Sequence, residues 1–125
     1  MKHRSWFYFT VFSCCVTSLS AAHAVDCNAT SRKLLDNLDH ENYAAAGADF
    51  NNKMKTLSAE RLQQIWQMLP EKMGARGGRE EARVVKINGN EAVITPLHFG
   101  HTIANAVVAC STDGKIDGFR IGPAQ

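Results

Sequence analysis

Residues 80–121 have the sequence EEARVVKINGNEAVITPLHFGHTIANAVVACSTDGKIDGFRI, in which apolar residues recur with a period of two. That period is typical of β-strands, whose successive side chains point to opposite faces of a sheet. Turn signals divide the stretch at Asn88-Gly89, at Gly100 and at Asp113-Gly114. The pattern therefore predicts four strands joined as an antiparallel meander, over Glu80–Asn88, Glu91–Phe99, Thr102–Cys110 and Lys115–Ile121.

The segment before the strands has helical periodicity. Residues 28–40 carry Leu34, Leu35 and Leu38 at helical spacing, and a second, shorter helix is expected over Asn42–Asn52. Because helices precede the strands, the expected fold class is α+β, with the helices packed on one face of the sheet. On the second strand, Val93, Thr95, Leu97 and Phe99 would share one face.

A third helix has the clearest boundaries. Ser58 is a natural N-cap, and Glu60 follows in the first turn, where the helix dipole favours an acid. Pro70 lacks an amide hydrogen and is expected to kink or end the regular helix near Leu69. Beyond Gly74, the Gly77-Gly78 pair is interpreted as a flexible link to the sheet. The apolar stripe of this helix consists of Leu62, Ile65, Trp66, Leu69 and Met73.

The N-terminus has the layout of a secretory signal peptide. Lys2 to Arg4 form a positive start, an apolar run of about eleven residues follows, and Ala22-His23-Ala24 is a cleavage signal. A membrane-spanning helix needs about twenty residues, so the run is too short to be one. Cleavage after Ala24 would leave a single domain, 25–125, in the periplasm or outside the cell. A lipoprotein is the alternative, because Val11–Cys14 loosely resembles a lipobox, although Phe12 is bulky for one.

Removal of that segment changes the chemistry of the chain. Of 14 basic and 12 acidic residues, Lys2 and Arg4 would be lost, which leaves 12 of each. A neutral domain without a basic run is a poor binder of nucleic acid or of an anionic membrane. Only Cys27 and Cys110 would remain, and in an oxidising compartment they most simply form one disulfide. Free thiols or an intermolecular bridge are the alternatives.

Several stretches together resemble a bacterial domain-of-unknown-function family, found in exported proteins alone or in front of secreted α/β-hydrolases. They are Asn42–Ala46, Leu57–Leu62, Trp66 and Asp113–Pro123. The resemblance implies a cystatin-like roll, as in nuclear-transport-factor-like domains, where a curved antiparallel sheet wraps around helices and can enclose a pocket. It supplies no catalytic motif.

Few residues suggest a chemical site. His98 and His101 flank the Gly100 turn, but zinc usually needs three or four ligands, so two polar residues at a hairpin end are the simpler interpretation. His98 with Asp117 or Asp49 would make an acid–base pair if one cavity held them. Tyr43 and Trp66 are core residues at helical spacing or, alternatively, the lining of an apolar ligand pocket. No catalytic residue, metal ligand or cofactor is assigned.

The function expected from these observations is that of a small exported, non-catalytic domain that binds a protein partner or a small ligand in the cell envelope. Tyr43, Trp66 and His98 are its candidate ligand contacts. Self-association through the exposed sheet face, as a homodimer, is a further option. The alternatives are a pocket enzyme that uses His98 and a carboxylate, and an envelope inhibitor or immunity-like protein.

Overall fold

The computed structural model describes residues 26–124, and the expected signal peptide, 1–24, lies outside them. Within this range the helices precede the strands, and every pairing between strands is antiparallel. The α+β prediction is therefore confirmed. The helices are α1 (Cys27–Asp39), α2 (Tyr43–Ala46) and α3 (Ala59–Met73), and a 3₁₀ turn spans Met54–Thr56. The strands are β1 (Arg76–Arg79), β2 (Arg83–Ile87), β3 (Asn90–Phe99), β4 (Thr102–Cys110) and β5 (Ile116–Pro123).

Helix α2 is much shorter than the predicted Asn42–Asn52. After Gly47 the chain turns toward the sheet, where the Ile116 amide donates to the Asp49 carbonyl at 2.7 Å and the Asn51 amide to the Ile116 carbonyl at 3.0 Å. Phe50 forms a parallel bridge with Ile116. The helix does not continue to Asn52, despite the local helical propensity, because the backbone groups of Asp49 and Asn51 form hydrogen bonds with Ile116 in β5, more than sixty residues away in sequence.

Helix α3 begins where predicted, with the Ser58 hydroxyl accepting from the Arg61 amide at 3.2 Å. It does not end near Leu69, however, but continues through Pro70 to Met73 and stops at Gly74, whose φ is +110°. Pro70 provides no amide hydrogen for the Trp66 carbonyl four residues earlier. The Arg76 guanidinium donates to that carbonyl instead, at 3.0 Å. Of the two effects predicted for Pro70, a kink or an end of the helix near Leu69, the end is wrong.

The sheet has the strand order β1-β3-β4-β5, and β2 also pairs with β3. Strands β1 and β2 occupy one edge in succession, β1 opposite the end of β3 and β2 opposite its beginning. The sheet thus has five strands where four were predicted, because the Gly77-Gly78 segment, predicted as a flexible link, belongs to the additional strand β1. Its pairing shifts register between Arg76 and Arg79, as in a β-bulge.

The break between β1 and β2 lies opposite Pro96, in the middle of β3. The Glu80 amide donates to the Pro96 carbonyl at 2.9 Å. In an antiparallel strand the N–H and C=O of one residue point to the same neighbouring strand, so the donor that Pro96 lacks would also face this edge. The ladder to β4 is unaffected, with Pro96 opposite Asn105. A proline in a central strand is tolerated here because the edge strand is interrupted beside it.

The core lies between the helices and one face of the sheet. Val93, Thr95, Leu97 and Phe99, which the alternation predicts on one face of β3, lie on the core side and are all at most 5% exposed. From the helical layer the buried residues include Leu34, Leu35, Leu38, Leu62 and Trp66, together with Phe50 from the connection after α2. Strand β4 contributes Ala104, Ala106 and Val108.

Candidate functional site

Cys27 and Cys110 lie at disulfide-bonding distance, as the sequence predicts. Their Sγ atoms are 2.09 Å apart and their Cα atoms 5.9 Å apart. Cys27 is the first residue of α1, whose N-terminus is held by the Asp26 carboxylate accepting from the Ala29 amide at 3.1 Å. Cys110 ends β4. The pair therefore attaches the first helix to the centre of the sheet, inside the core.

Tyr43 and Trp66 are largely buried, at 9% and 3% exposed. Both line an open cleft of about 290 Å³ that is completed by Glu41, Gln67, Pro70 and Arg76. Neither the Tyr43 hydroxyl nor the Trp66 indole N–H has a hydrogen-bond partner among the described residues. The two residues are thus mainly core, in agreement with the simpler interpretation, and each has one buried polar atom without a partner in the described part of the chain.

Two arginines of β1 are held by carboxylates at the end of α1. Arg76 lies 3.7 Å from Asp39 and stacks over the Trp66 ring, with the guanidinium carbon 4.2 Å from the ring centroid. Arg79 contacts both Asp36 and Asp39. All four charges are only partly exposed, and they compensate one another. This cluster joins α1 to the edge of the sheet and has no net charge to offer a ligand.

His98 lies on the opposite side of the sheet from Tyr43. Its neighbours in β3, Leu97 and Phe99, point into the core, so the imidazole points away from the helices. The Nε2 atom is 3.6 Å from a carboxylate oxygen of Glu80, and both side chains are well exposed. Trp66 and His98 share only a cavity of about 10 Å³ beside the Gly77-Gly78 bulge. The three candidate ligand contacts are therefore not gathered around one pocket.

The carboxylates proposed for an acid–base pair are far from His98. Asp49 and Asp117 flank Ile116, at the start of β5, and Asp117 adjoins the Gly118–Ala109–Ala92 row. Ala92 and His98 are six residues apart along β3, which corresponds to about 20 Å. Asp49 contacts Lys33 at 3.2 Å, and Asp117 contacts Lys53 at 3.1 Å and Asn51 at 2.9 Å. Neither Asp49 nor Asp117 therefore lies within hydrogen-bonding distance of His98.

The sheet face that points away from the helices, called the outer face below, is markedly apolar. Within residues 26–124 no helix packs on it, since the buried helix residues belong to the core on the other side. Its polar side chains are Asn90, His98 and Asn105, and it carries the arginines Arg83 and Arg120. Its apolar members are Val85, Ile87, Ala92, Ile94, Pro96, Ile103, Val107 and Ala109, of which Ala92 is fully buried.

One row of the outer face crosses four strands. The register places Arg83 opposite Ile94, Ile94 opposite Val107, and Val107 opposite Arg120. Together with Asn105, Gly122 and Pro123, these four residues line a trough of about 240 Å³. The trough thus has an arginine at each end and the aliphatic side chains of Ile94 and Val107, called the floor below, between them.

The sequence analysis expected an exposed sheet face but did not predict that it is largely apolar, although the chain contains a signal for this. An antiparallel sheet with one solvated face shows alternating apolar and polar residues, whereas strands covered on both faces have continuous apolar runs. Residues 92–94 (AVI) and 106–109 (AVVA) are such runs. These runs indicate that β3 and β4 can be buried on the outer face as well as on the core face.

Two further observations concern the described residues alone. His98 and His101 belong to no group of three or more His, Cys, Asp or Glu side chains placed to hold a metal ion. No helix between residues 26 and 124 is long and apolar enough to cross a membrane.

Comparison of the chain with protein-family models, with curated proteins and with solved structures finds no match. The resemblance to the exported bacterial family, and the cystatin-like roll that it implies, therefore stay predictions. The outer face and the Tyr43–Trp66 cleft are the features on which a function can be argued.

Proposed function

We propose that this protein is an exported, non-catalytic binding domain of the cell envelope that holds a protein partner on the outer face of its sheet. The observation that carries the proposal is the row from Arg83 through Ile94 and Val107 to Arg120, an apolar strip on a face that no described helix covers. Exposed apolar patches that are rimmed by polar groups are characteristic of protein interaction sites.

Export is supported by two features. Residues 1–24 have the charge, apolar run and small-residue end of a signal peptide. Cys27 and Cys110 lie at bonding distance, and disulfides persist in oxidising compartments such as the periplasm. N-terminal sequencing of the protein recovered from the periplasm should begin at Val25. A chain that retains Met1 and stays in the cytoplasm would contradict export.

The proposal of a non-catalytic role rests on the position of His98. Its nearest acid is Glu80, and both side chains lie on the surface. General acid–base catalysis gains from a site that excludes water and holds the acid and base against the substrate. An exposed pair on an open sheet face does not meet that need.

Site-specific photocrosslinking in the native cells tests the protein-binding role. A photoreactive phenylalanine analogue at Asn105, in the trough, should give a discrete adduct with another protein. The same analogue at Gln64, which is exposed on α3, is the matched control and should give none. Val107→Glu places a charge on the aliphatic floor and should abolish the Asn105 adduct without unfolding the domain. Equal adducts from Asn105 and Gln64, or none from Asn105, would contradict the proposal.

A second candidate function, small-ligand binding, is favoured by the cleft beside α3. The supporting observation is that two buried hydrogen-bond donors of residues lining this cleft, the Tyr43 hydroxyl and the Trp66 indole N–H, have no partner among the described residues. Native mass spectrometry of protein isolated from the envelope would show a bound mass that Tyr43→Phe removes or weakens. A bare polypeptide mass from both proteins would argue against this candidate.

A further inference from the structure

We infer that the protein segment bound on the outer face carries carboxylates on both sides of an apolar centre, and that Arg83 and Arg120 select it. The inference rests on the proposed function, since it names the chemistry of the partner at the same face. It concerns an interaction surface on β2 to β5 that is separate from the Tyr43–Trp66 cleft.

The spacing of the two arginines sets the length of the segment. Three strand-to-strand steps separate Arg83 from Arg120, and each step is about 4.8 Å, so their Cα atoms are about 14 Å apart. Ile94 and Val107 lie between them as the floor. An apolar side chain of the partner would rest on this floor while acidic residues on either side reach the guanidinium groups. About 14 Å corresponds to four residues of an extended chain or nine of a helix.

Arg83 and Arg120 differ from the two arginines of β1 in their pairing with acids. Arg76 and Arg79 are each paired with aspartates of α1. Among the described residues, no carboxylate lies within salt-bridge distance of Arg83 or Arg120, and both side chains are exposed. Binding of an apolar segment between them would remove water from the guanidinium groups. A guanidinium group that has lost its water needs a hydrogen-bonding acid in the interface. A carboxylate that accepts two hydrogen bonds matches the paired N–H groups of the guanidinium.

A second copy of this chain fits the face less well. In a two-fold symmetric interface whose axis runs along this row or across its middle, Arg83 and Arg120 would face the arginines of the other copy. Glu80, the acid that does lie beside the face, is at its margin and next to His98. Like charges across an interface disfavour association.

An anionic membrane is also a poorer match. Lipid recognition by charge usually involves clusters of about four to eight Lys or Arg residues. The outer face has two arginines, with the aliphatic side chains of Ile94 and Val107 between them. A folded or extended protein segment can supply acids at matched positions, whereas a fluid headgroup layer gives no such spacing.

The test uses a phage-displayed library of random twelve-residue peptides, selected on the folded domain in its oxidised form. Enriched peptides should contain Asp or Glu on both sides of an aliphatic or aromatic residue. Replacement of both arginines, Arg83→Gln with Arg120→Gln, should weaken binding of a selected peptide by about tenfold or more. The affinity of the Arg83→Lys, Arg120→Lys variant should lie between those of the native domain and the double Gln variant, because lysine keeps the charge but cannot donate the paired hydrogen bonds of a guanidinium. Binding should also weaken as the salt concentration rises.

A charge-reversed variant tests whether the charge of residues 83 and 120 decides which peptides are selected. Selection on the Arg83→Glu, Arg120→Glu variant should enrich Lys and Arg at the positions where the native face enriches acids. Unfolding curves verify that these exposed substitutions leave the fold intact. Sedimentation of the free domain and flotation with phosphatidylglycerol vesicles test the second copy and the membrane; strong self-association or flotation that depends on both arginines would overturn the inference.

Failure of the inference is distinguishable from failure of the proposed function. Peptides that bind without acids, and that lose affinity with Val107→Glu but not with the Gln variants, would refute the role of the arginines and leave the outer face as a binding site. Peptides that are insensitive to both sets of substitutions, or a selection that enriches no peptide, would count against both.

Discussion

Arg76 replaces the hydrogen-bond donor that Pro70 removes from helix α3. Its guanidinium stacks over the Trp66 ring, 4.2 Å from the centroid, and donates to the Trp66 carbonyl at 3.0 Å. That carbonyl would ordinarily accept from the amide of residue 70. A side chain from the first strand thus completes the last turns of the helix and at the same time covers the indole. The helix end and the sheet edge are therefore expected to unfold together.

The Arg76–Pro70 relationship predicts a measurable coupling. Arg76→Ala should lower the free energy of unfolding by about 1–3 kcal/mol, because it leaves the Trp66 carbonyl without a donor. In a Pro70→Ala background an alanine amide can donate to that carbonyl, so the same substitution should cost about 1 kcal/mol less. Urea unfolding of the four proteins measures the difference. Stacking on Trp66 and the contact with Asp39 are common to both backgrounds, so they cancel. Equal costs in the two backgrounds would mean that Arg76 acts only through those contacts.

Gly74 provides a prediction about the helix end. Its φ of +110° lies in a region that residues with a side chain rarely adopt, and a Cβ there would stand 3.4 Å from the Phe99 carbonyl oxygen. Gly74→Ala should therefore destabilise the domain by about 1–3 kcal/mol in thermal or urea unfolding. Gly78→Ala is the matched control, since a Cβ at that residue would meet no atom within 4 Å and the φ of Gly78 is not positive. If both variants unfolded alike, backbone strain at Gly74 would not be the cause.

The cysteine pair predicts both a mass and a stability. The exported protein should be two hydrogen masses lighter than its reduced form, and two free thiols would refute the pairing. The linked residues are 83 positions apart. The chain-entropy model gives up to about 4–5 kcal/mol for a loop of that size. Cys27→Ala with Cys110→Ala should therefore shift the urea midpoint strongly downward, and a reducing agent should shift the native protein but not this variant.

Asp117 predicts a pH dependence of stability. The Lys53 ammonium, and after it the Asn51 amide, hold the pKa of the Asp117 carboxyl below its ordinary value of 3.8. Because the pKa is lower in the folded state, the stabilisation is complete above the ordinary value and is lost as the pH falls through the folded value. The stability difference between the native protein and Asp117→Asn should thus shrink below about pH 4. Glu71→Gln, on the exposed side of α3, is the control. A difference that stays constant down to about pH 2 would contradict the role of this carboxylate.

Local signals predicted the parts of the fold that depend on neighbouring residues. Ser58 marked the start of α3, and the turns at Asn88-Gly89, Gly100 and Asp113-Gly114 separated β2 to β5 near their observed ends. The residues that share the inward face of β3 followed from alternation. The errors lie where distant residues supply the hydrogen bonds. Arg76 lets α3 pass Pro70, β3 pairs with the Gly77-Gly78 segment, and Ile116 draws residues 49–51 out of α2.

The candidate sites divide in the same way. The cysteine pair could be predicted because counting left one simple combination, and Tyr43 and Trp66 could be assigned to the core from helical spacing. The trough could not, because Arg83, Ile94, Val107 and Arg120 come from four strands. Only the register brings them into one row.

The order of helices and strands, the two faces of β3 and the cysteine pairing follow from the amino-acid sequence, because periodicity, turn geometry and the number of cysteines are local properties. The tertiary structure alone decided that Pro70 stays inside a helix, that a glycine pair becomes an edge strand, and that two arginines 37 positions apart (120 − 83) bracket one apolar strip. Those outcomes depend on hydrogen bonds and strand register between distant segments. The sequence of one segment does not predict such contacts, because each segment alone is compatible with several neighbouring strands or helices.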